Sequence, residues 1–218
     1  MNPEPHIVFL FYDHMTALDA IGPHEVLCRL PGAVIQRVAK NRGPVKSDSS
    51  GLTLMAEYAL SEISKADVLV IPGAGTATDL KDEPETLEWI RMLHTQTLWT
   101  TSVCTGSLIL AATGLLSGLA ATSHWAVLDR LTHYRALPTA QRVVKSGKII
   151  TAAGVSAGID MALLLASKLS GKTVAETLQL AIEYDPEPPF NSGSLAKANS
   201  SIVEPLRAQL LSHFEPKQ

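Results

Sequence analysis

Of the two cysteines in this chain, Cys28 and Cys104, only Cys104 stands in company that suggests chemistry. It opens Cys104-Thr105-Gly106-Ser107, directly after the extended-looking run Leu98–Val103 and directly before the helical-looking stretch Leu108–Leu116. A nucleophile on a sharp strand-to-helix turn is lifted into the crevice at the carboxyl end of a sheet, where α/β proteins gather ligands. The free N–H groups and partial positive charge of the helix that follows favour a thiolate over a thiol. Gly106, lacking a side chain, lets substrate and neighbouring backbone come close. The plainer reading of Cys104 is a small buried hydrophobe, the commoner fate of a free cysteine. Cys28, inside a helical pattern without polar neighbours in sequence, reads as core.

Three further stretches end near the same edge if strands and helices alternate. Asp19, in Leu18-Asp19-Ala20-Ile21-Gly22-Pro23, follows the first strand and opens the first helix. It is either an acid for proton transfer or an ordinary helix N-cap. Gly73 and Gly75 follow a central strand and are placed to offer backbone N–H groups to developing negative charge, or simply to form a turn. His124 lies 20 residues beyond Cys104. It is a possible base for the cysteine, with a structural hydrogen bond as the equal alternative.

The elements that must position these residues follow from periodicity. His6–Tyr12 reads as strand and Leu18–Leu30 as helix; Ala33–Ala39 is a second strand, and Val45–Met55 two short strands about a turn at 47–51. Asp67–Ile71 is a compact apolar run of the kind that fills the centre of a parallel sheet. Pro84–Gln96 is a helix with proline in its first turn. Arg142–Val144 and Lys148–Ala152 form a hairpin about Ser146-Gly147, and Ala157–Leu169 and Thr173–Tyr184 are helices. Only Ile202–Phe214 looks helical after that. The alternation specifies an α/β fold with a mostly parallel sheet covered on both faces.

The 218 residues suit one domain, 1–218, with an irregular Pro-rich tail from about 185. Hydrophobic residues make up 46%, ample for a core, so the chain folds by burial rather than remaining disordered. Lys plus Arg is 18 against 21 Asp plus Glu, a net charge of −3 with no basic cluster, which removes the electrostatic footprint of a nucleic-acid binder. The richest apolar stretch, 108–122, is broken by Gly114, Ser117 and Gly118 and is too short to span a membrane. With no secretory-signal anatomy at the start, the expected location is the cytoplasm.

Leu18-Asp19-x-x-Gly22-Pro23-x-x-Val26-Leu27, Ile71-Pro72-Gly73-x-Gly75, Ser102-Val103-Cys104-Thr105-Gly106-Ser107 and Ala121-Thr122-Ser123-His124-Trp125 together resemble the ThiJ/PfpI superfamily of glutamine-amidotransferase-like proteins, over nearly the whole chain. Thr151–Asp160 and Glu183–Phe190 resemble its isocyanide-hydrating branch in particular. That resemblance implies a flavodoxin-like three-layer sandwich and a homodimer, with Cys104 as nucleophile and Asp19 as partner acid. It further implies hydration of an isocyanide to an N-substituted formamide through a thioimidate, with neither metal nor organic cofactor. Thr105, Gly75, Gly106, the backbone near Val155, and His124 would orient the intermediate, although the Thr105 hydroxyl could equally be a first-turn cap. Many relatives have glutamate at the place of Asp19 and several have histidine at that of Thr105; both departures favour the hydratase branch. Two other readings stand beside it: a stand-alone ligand-sensing domain related to AraC-type regulators, and a stress-response deglycase or redox sensor using the same cysteine.

Overall fold

A computed structural model describes residues 4–48, 51–75 and 82–212. Among these residues seven strands form the central sheet: β1 (His6–Leu10), β2 (Val34–Ala39), β5 (Tyr58–Ala59), β6 (Val68–Ile71), β7 (Trp99–Val103), β10 (Val143–Ser146) and β11 (Ile149–Ala152). Their order across the sheet is β10, β11, β7, β6, β1, β2, β5. All neighbours pair in parallel except β10 with β11, the expected hairpin. β6, Val-Leu-Val-Ile, is buried along its whole length, as its unbroken apolar run requires of a strand covered on both faces.

The direction of strand addition reverses between β1 and β6. From β1 the chain moves outward through α1 (Ala17–Leu27) to β2; from β6 it moves the other way through α2 (Pro84–Gln96) to β7, then through α3 (Gly106–Ala112) towards β11. Because such crossovers are right-handed, opposite directions put α1 on one face and α2 and α3 on the other. The helix after β11, α4 (Ala157–Ser170), packs against α1 and against α5 (Lys172–Ala181). The result is a flavodoxin-like three-layer sandwich. At the point of reversal the two chain exits diverge and leave a crevice at the carboxyl ends of the strands.

Several elements differ from the sequence reading. A ten-residue 3₁₀ segment covers Trp125–Tyr134, where no regular structure was expected. Its Val127, Leu131 and Tyr134 recur at helical spacing and turn toward the core, a stripe that the sequence reading passed over, and the segment packs against α3. Flanking it, β8 (Ala120–Ala121) pairs with β9 (Leu137–Pro138), two residues each, too short to leave a period. β3 (Gly43–Lys46) and β4 (Thr53–Ala56) form the expected pair of short strands; Ser49 and Ser50 of their turn lie outside the described residues. α3 begins at Gly106 and ends at Ala112, four residues before Leu116, because the chain turns through Gly114 at φ +85°. Residues 185–199 carry no helix or strand, and α6 (Ser200–Ser212) follows; Phe214 lies outside the described residues. Cys28 is half-buried just past the end of α1 rather than in the core. Among the described residues no helix is long and apolar enough to cross a membrane.

Candidate active site

Cys104 occupies the first position beyond β7 with φ +57°, a left-handed backbone that costs a non-glycine residue about 1–3 kcal/mol. The surroundings hold it there. Its N–H donates to the carbonyls of Ala152 (3.1 Å) and Ala153 (3.0 Å), and its own carbonyl accepts from the hydroxyls of Ser107 (3.1 Å) and Ser123 (3.2 Å). Two glycines let this elbow interlock with the loop after β6. A Cβ on Gly106 would stand 2.3 Å from the Ile71 carbonyl oxygen, and one on Gly73 2.5 Å from the Thr105 nitrogen. Both collisions are with backbone, which has nowhere to go. The backbone half of the sequence argument for Gly106 therefore holds.

The Thr105 hydroxyl does not cap α3. It reaches across to the same loop, donating to the Ala74 carbonyl (2.9 Å) and accepting from the Ala74 N–H (2.7 Å). The loop is tied on its other side by the Thr16 N–H, which donates to the Gly73 carbonyl at 2.8 Å.

Asp19 is not a helix cap either. Thr16 holds the N-cap position of α1, and Asp19 is the third residue of the helix, in its first turn and fully buried. Its Oδ2 accepts from the Gly73 N–H at 2.8 Å, while Oδ1 is buried without a hydrogen-bond partner. Burial pushes its pKa up to about 7, with the negative charge of Asp48 adding to the rise; the Gly73 N–H and hydrogen bonding with Cys104 oppose it. Burial also pushes the Cys104 thiol far up, helped by the Asp19 charge and opposed by N–H donors from Val155 and Thr105. Each group resists ionisation beside the other, so the pair holds at most one negative charge at neutral pH, carried by Asp19, the more acidic of the two.

Val155 supplies its N–H from a backbone at φ +34°, unusual for a β-branched residue, at the entry to α4. Gly75 is placed differently from its sequence reading: its N–H points at Asp48 Oδ2 (3.3 Å), and Gly73 is the glycine that meets the acid. His124 is the N-cap of the 125–134 segment, with Nδ1 accepting from the Ala126 N–H at 3.3 Å and the ring lying against Gly154. Burial lowers its pKa, so the imidazole is neutral, with Nδ1 committed to the Ala126 N–H.

Tyr12 was missed by sequence reasoning. Buried at the end of β1, it donates its hydroxyl proton to the Pro72 carbonyl (2.9 Å), and its ionisation is resisted by burial, Asp19, Cys104 and Asp48. The only sequence signal was an aromatic residue closing a strand at the crevice edge. Among the described residues no group of three His, Cys, Asp or Glu side chains is arranged to hold a metal ion.

An acid and a thiol facing one another at the reversal point, the thiol on a strained elbow after a central strand, define a class. The chain belongs to the DJ-1/PfpI family, whose model matches residues 5–168. Over 201 residues it is 42% identical to the isonitrile hydratase of Pseudomonas putida, covering 92% of this chain and 88% of that protein. A ThiJ/PfpI family protein from Pseudomonas syringae has a structure that matches with a TM-score of 0.92 at 39% identity, over 96% of this chain and 87% of that one. The chain is also 33% identical over 135 residues to the HTH-type transcriptional regulator CdhR of Pseudomonas aeruginosa, spanning only 40% of the regulator's length.

Proposed function

We propose that this chain is a hydratase that adds water to isocyanides, R–N≡C, and that Cys104 and Asp19 carry the reaction. The observation that bears most weight is the buried acid–thiol pair, Asp19 facing Cys104 with its pKa raised to about 7 so that it is partly protonated at neutral pH. The terminal carbon of an isocyanide must accept both a nucleophile and a proton, and this pair can deliver both to one atom. Sulfur attacks from the form in which Asp19 holds the proton, a C–S bond and a C–H bond form on the same carbon, and the product is the thioimidate R–N=CH–S–Cys104. Asp19, now ionised, takes a proton from water as the hydroxyl adds to that carbon and passes it to nitrogen. Collapse expels the Cys104 sulfur as thiolate while the adduct's hydroxyl gives its proton back to Asp19, which restores the starting pair and releases R–NH–CHO. The Val155 and Thr105 N–H groups stabilise the departing thiolate. Thr105, Gly106 and Gly73 hold the geometry, and His124 fixes the neighbouring segment. The close similarity to the isonitrile hydratase supports the same substrate class.

A homodimer accords with the exposed Phe190, Leu195, Ile202 and Leu206 of the C-terminal stretch, which are well suited to a second subunit. A cytoplasmic location accords with a mechanism that needs Cys104 as a free thiol. The likeness to CdhR favours one rival, a ligand-sensing domain. Incubation with a simple aliphatic or aromatic isocyanide, followed by NMR for the formamide, separates the two. Turnover supports the hydratase; saturable binding with no formamide supports the sensor and ends the enzymatic reading.

A further inference from the structure

Val155 brings its N–H to the Cys104 sulfur on a backbone at φ +34°, which a β-branched residue keeps only where its neighbours over-determine it. One residue grips the chain on both sides of that strain. The carbonyl of Arg142, just ahead of β10, accepts from the Ala153 N–H (2.9 Å), and the Ala153 carbonyl accepts in turn from the Cys104 N–H. The guanidinium of the same Arg142 crosses to the start of α4, where it donates to the Ser156 hydroxyl (3.2 Å) and to Asp160 Oδ2 (2.5 Å). Ser156 is the N-cap of α4, yet its hydroxyl caps nothing in its own helix. Tyr184 adds a third member, its hydroxyl 3.3 Å from each Asp160 oxygen. Asp160 and Tyr184 come from Thr151–Asp160 and Glu183–Phe190, the two stretches that resemble the isocyanide-hydrating branch in sequence. Ala153 and Ser156 are thus both tied to Arg142, and the residues between them are Gly154, packed against the His124 ring, and Val155.

We propose that Arg142 is a positioning residue for the hydration: by holding Ala153 and Ser156 it fixes the turn in which the Val155 N–H meets the sulfur. The inference rests on the hydratase reading for its reaction, though not for the contact itself. An ion pair as open to water as Arg142–Asp160 contributes little to overall stability, because solvent screens both charges. Its consequence here is geometric. Without Arg142 the turn relaxes towards ordinary backbone angles, the Val155 N–H swings off the sulfur, and the thiolate that attacks and later departs loses a donor.

Removing a charge-stabilising donor outright typically costs about 10²–10³-fold in kcat, so loosening one through Arg142→Ala should cost about tenfold. The loss should fall on kcat and kcat/KM alike with KM little changed, since the donor serves the thiolate and not the bound isocyanide. The Tm should stay within about 4 °C of the parent. Arg142→Lys, which keeps the charge but not the planar fork, should recover part of the activity. Glycine adopts positive φ freely, so in a Val155→Gly background the same Arg142→Ala change should cost no more than about twofold. One measurement needs no isocyanide: by NMR, the Val155 amide proton should move upfield and exchange faster with solvent in Arg142→Ala. That change in a protein that makes no formamide would leave the clamp standing and discard the hydratase reading. A Val155 resonance unmoved by Arg142→Ala would overturn the role of Arg142, as would parental kcat in that variant or a kcat loss just as large in the Val155→Gly background.

Discussion

Cys28 and Cys104 each stand beside a helix end, and nearly everything about their settings differs. Cys28 follows the C-terminus of α1 in ordinary right-handed geometry, φ −67°, with its sulfur directed at the Glu25 carbonyl (3.8 Å) and beside the Arg29 guanidinium. It is the more accessible of the two. Cys104 precedes the N-terminus of α3 in left-handed geometry and is only 4% exposed, but its sulfur meets an acid and two backbone N–H donors. The N–H-rich end of a helix favours a thiolate, but at Cys104 burial and the Asp19 charge outweigh it and hold the sulfur as a thiol, against the sequence expectation. The more accessible cysteine sits against a carbonyl and a guanidinium, and the buried one against the acid that it faces.

That contrast can be broken most directly at the sulfur. Cys104→Ala should remove isocyanide turnover by at least about 10⁴-fold, while Cys28→Ala should leave kcat within about twofold. Comparable losses in two folded variants would contradict the difference drawn between the cysteines. The acid is the next point of attack. Asp19→Asn keeps shape and the oxygen facing Gly73 but cannot transfer a proton, so kcat should fall towards the upper part of the 10²–10⁴-fold range typical of acid–base groups. A folded variant that works within a few-fold of the parent would take Asp19 out of the mechanism.

The same aspartate sharpens the comparison through stability. Its pKa, raised to about 7 from 3.8, means that the folded chain holds a proton that the unfolded chain has released across that interval. Stability should therefore fall as pH rises from about 4 to about 7 and level off above, by an amount on the order of a few kcal/mol. Urea melts at a series of pH values should show that slope in the parent and a much flatter one in Asp19→Asn. Equal slopes would mean that Asp19 is ionised at no unusual cost. The smallest expected effect belongs to the clamp: Thr105→Val gives up both hydrogen bonds to Ala74, a loss of about 1–3 kcal/mol that calorimetry should register as a lower Tm.

Much of this was written in the linear chain. The compact run Asp67–Ile71 read as a buried central strand, which forms over Val68–Ile71, and the alternation of strands and helices specified a mostly parallel sheet with two covering layers. Cys104 was legible because a strand signal ended and a helix signal began at that residue, which suffices to place it at the carboxyl edge. What periodicity could not supply was the partner of each polar group. Asp19 looked like a cap because caps are read from position in a helix, and its actual partner, the Gly73 N–H, is 54 residues away. Thr105 misled for the same reason, its hydroxyl meeting Ala74 rather than its own helix. Tyr12, Asp48 and Ser123 enter the site only because the strand order reverses between β1 and β6 and brings three loops together. Local sequence thus determined which elements form and which edge carries the chemistry, since hydrophobic period and turn residues act over a few positions. The identity of the acid's partner, the strain at Cys104 and Val155, and the pKa of about 7 at Asp19 were decided by burial and long-range backbone contacts that exist only once the sheet has closed.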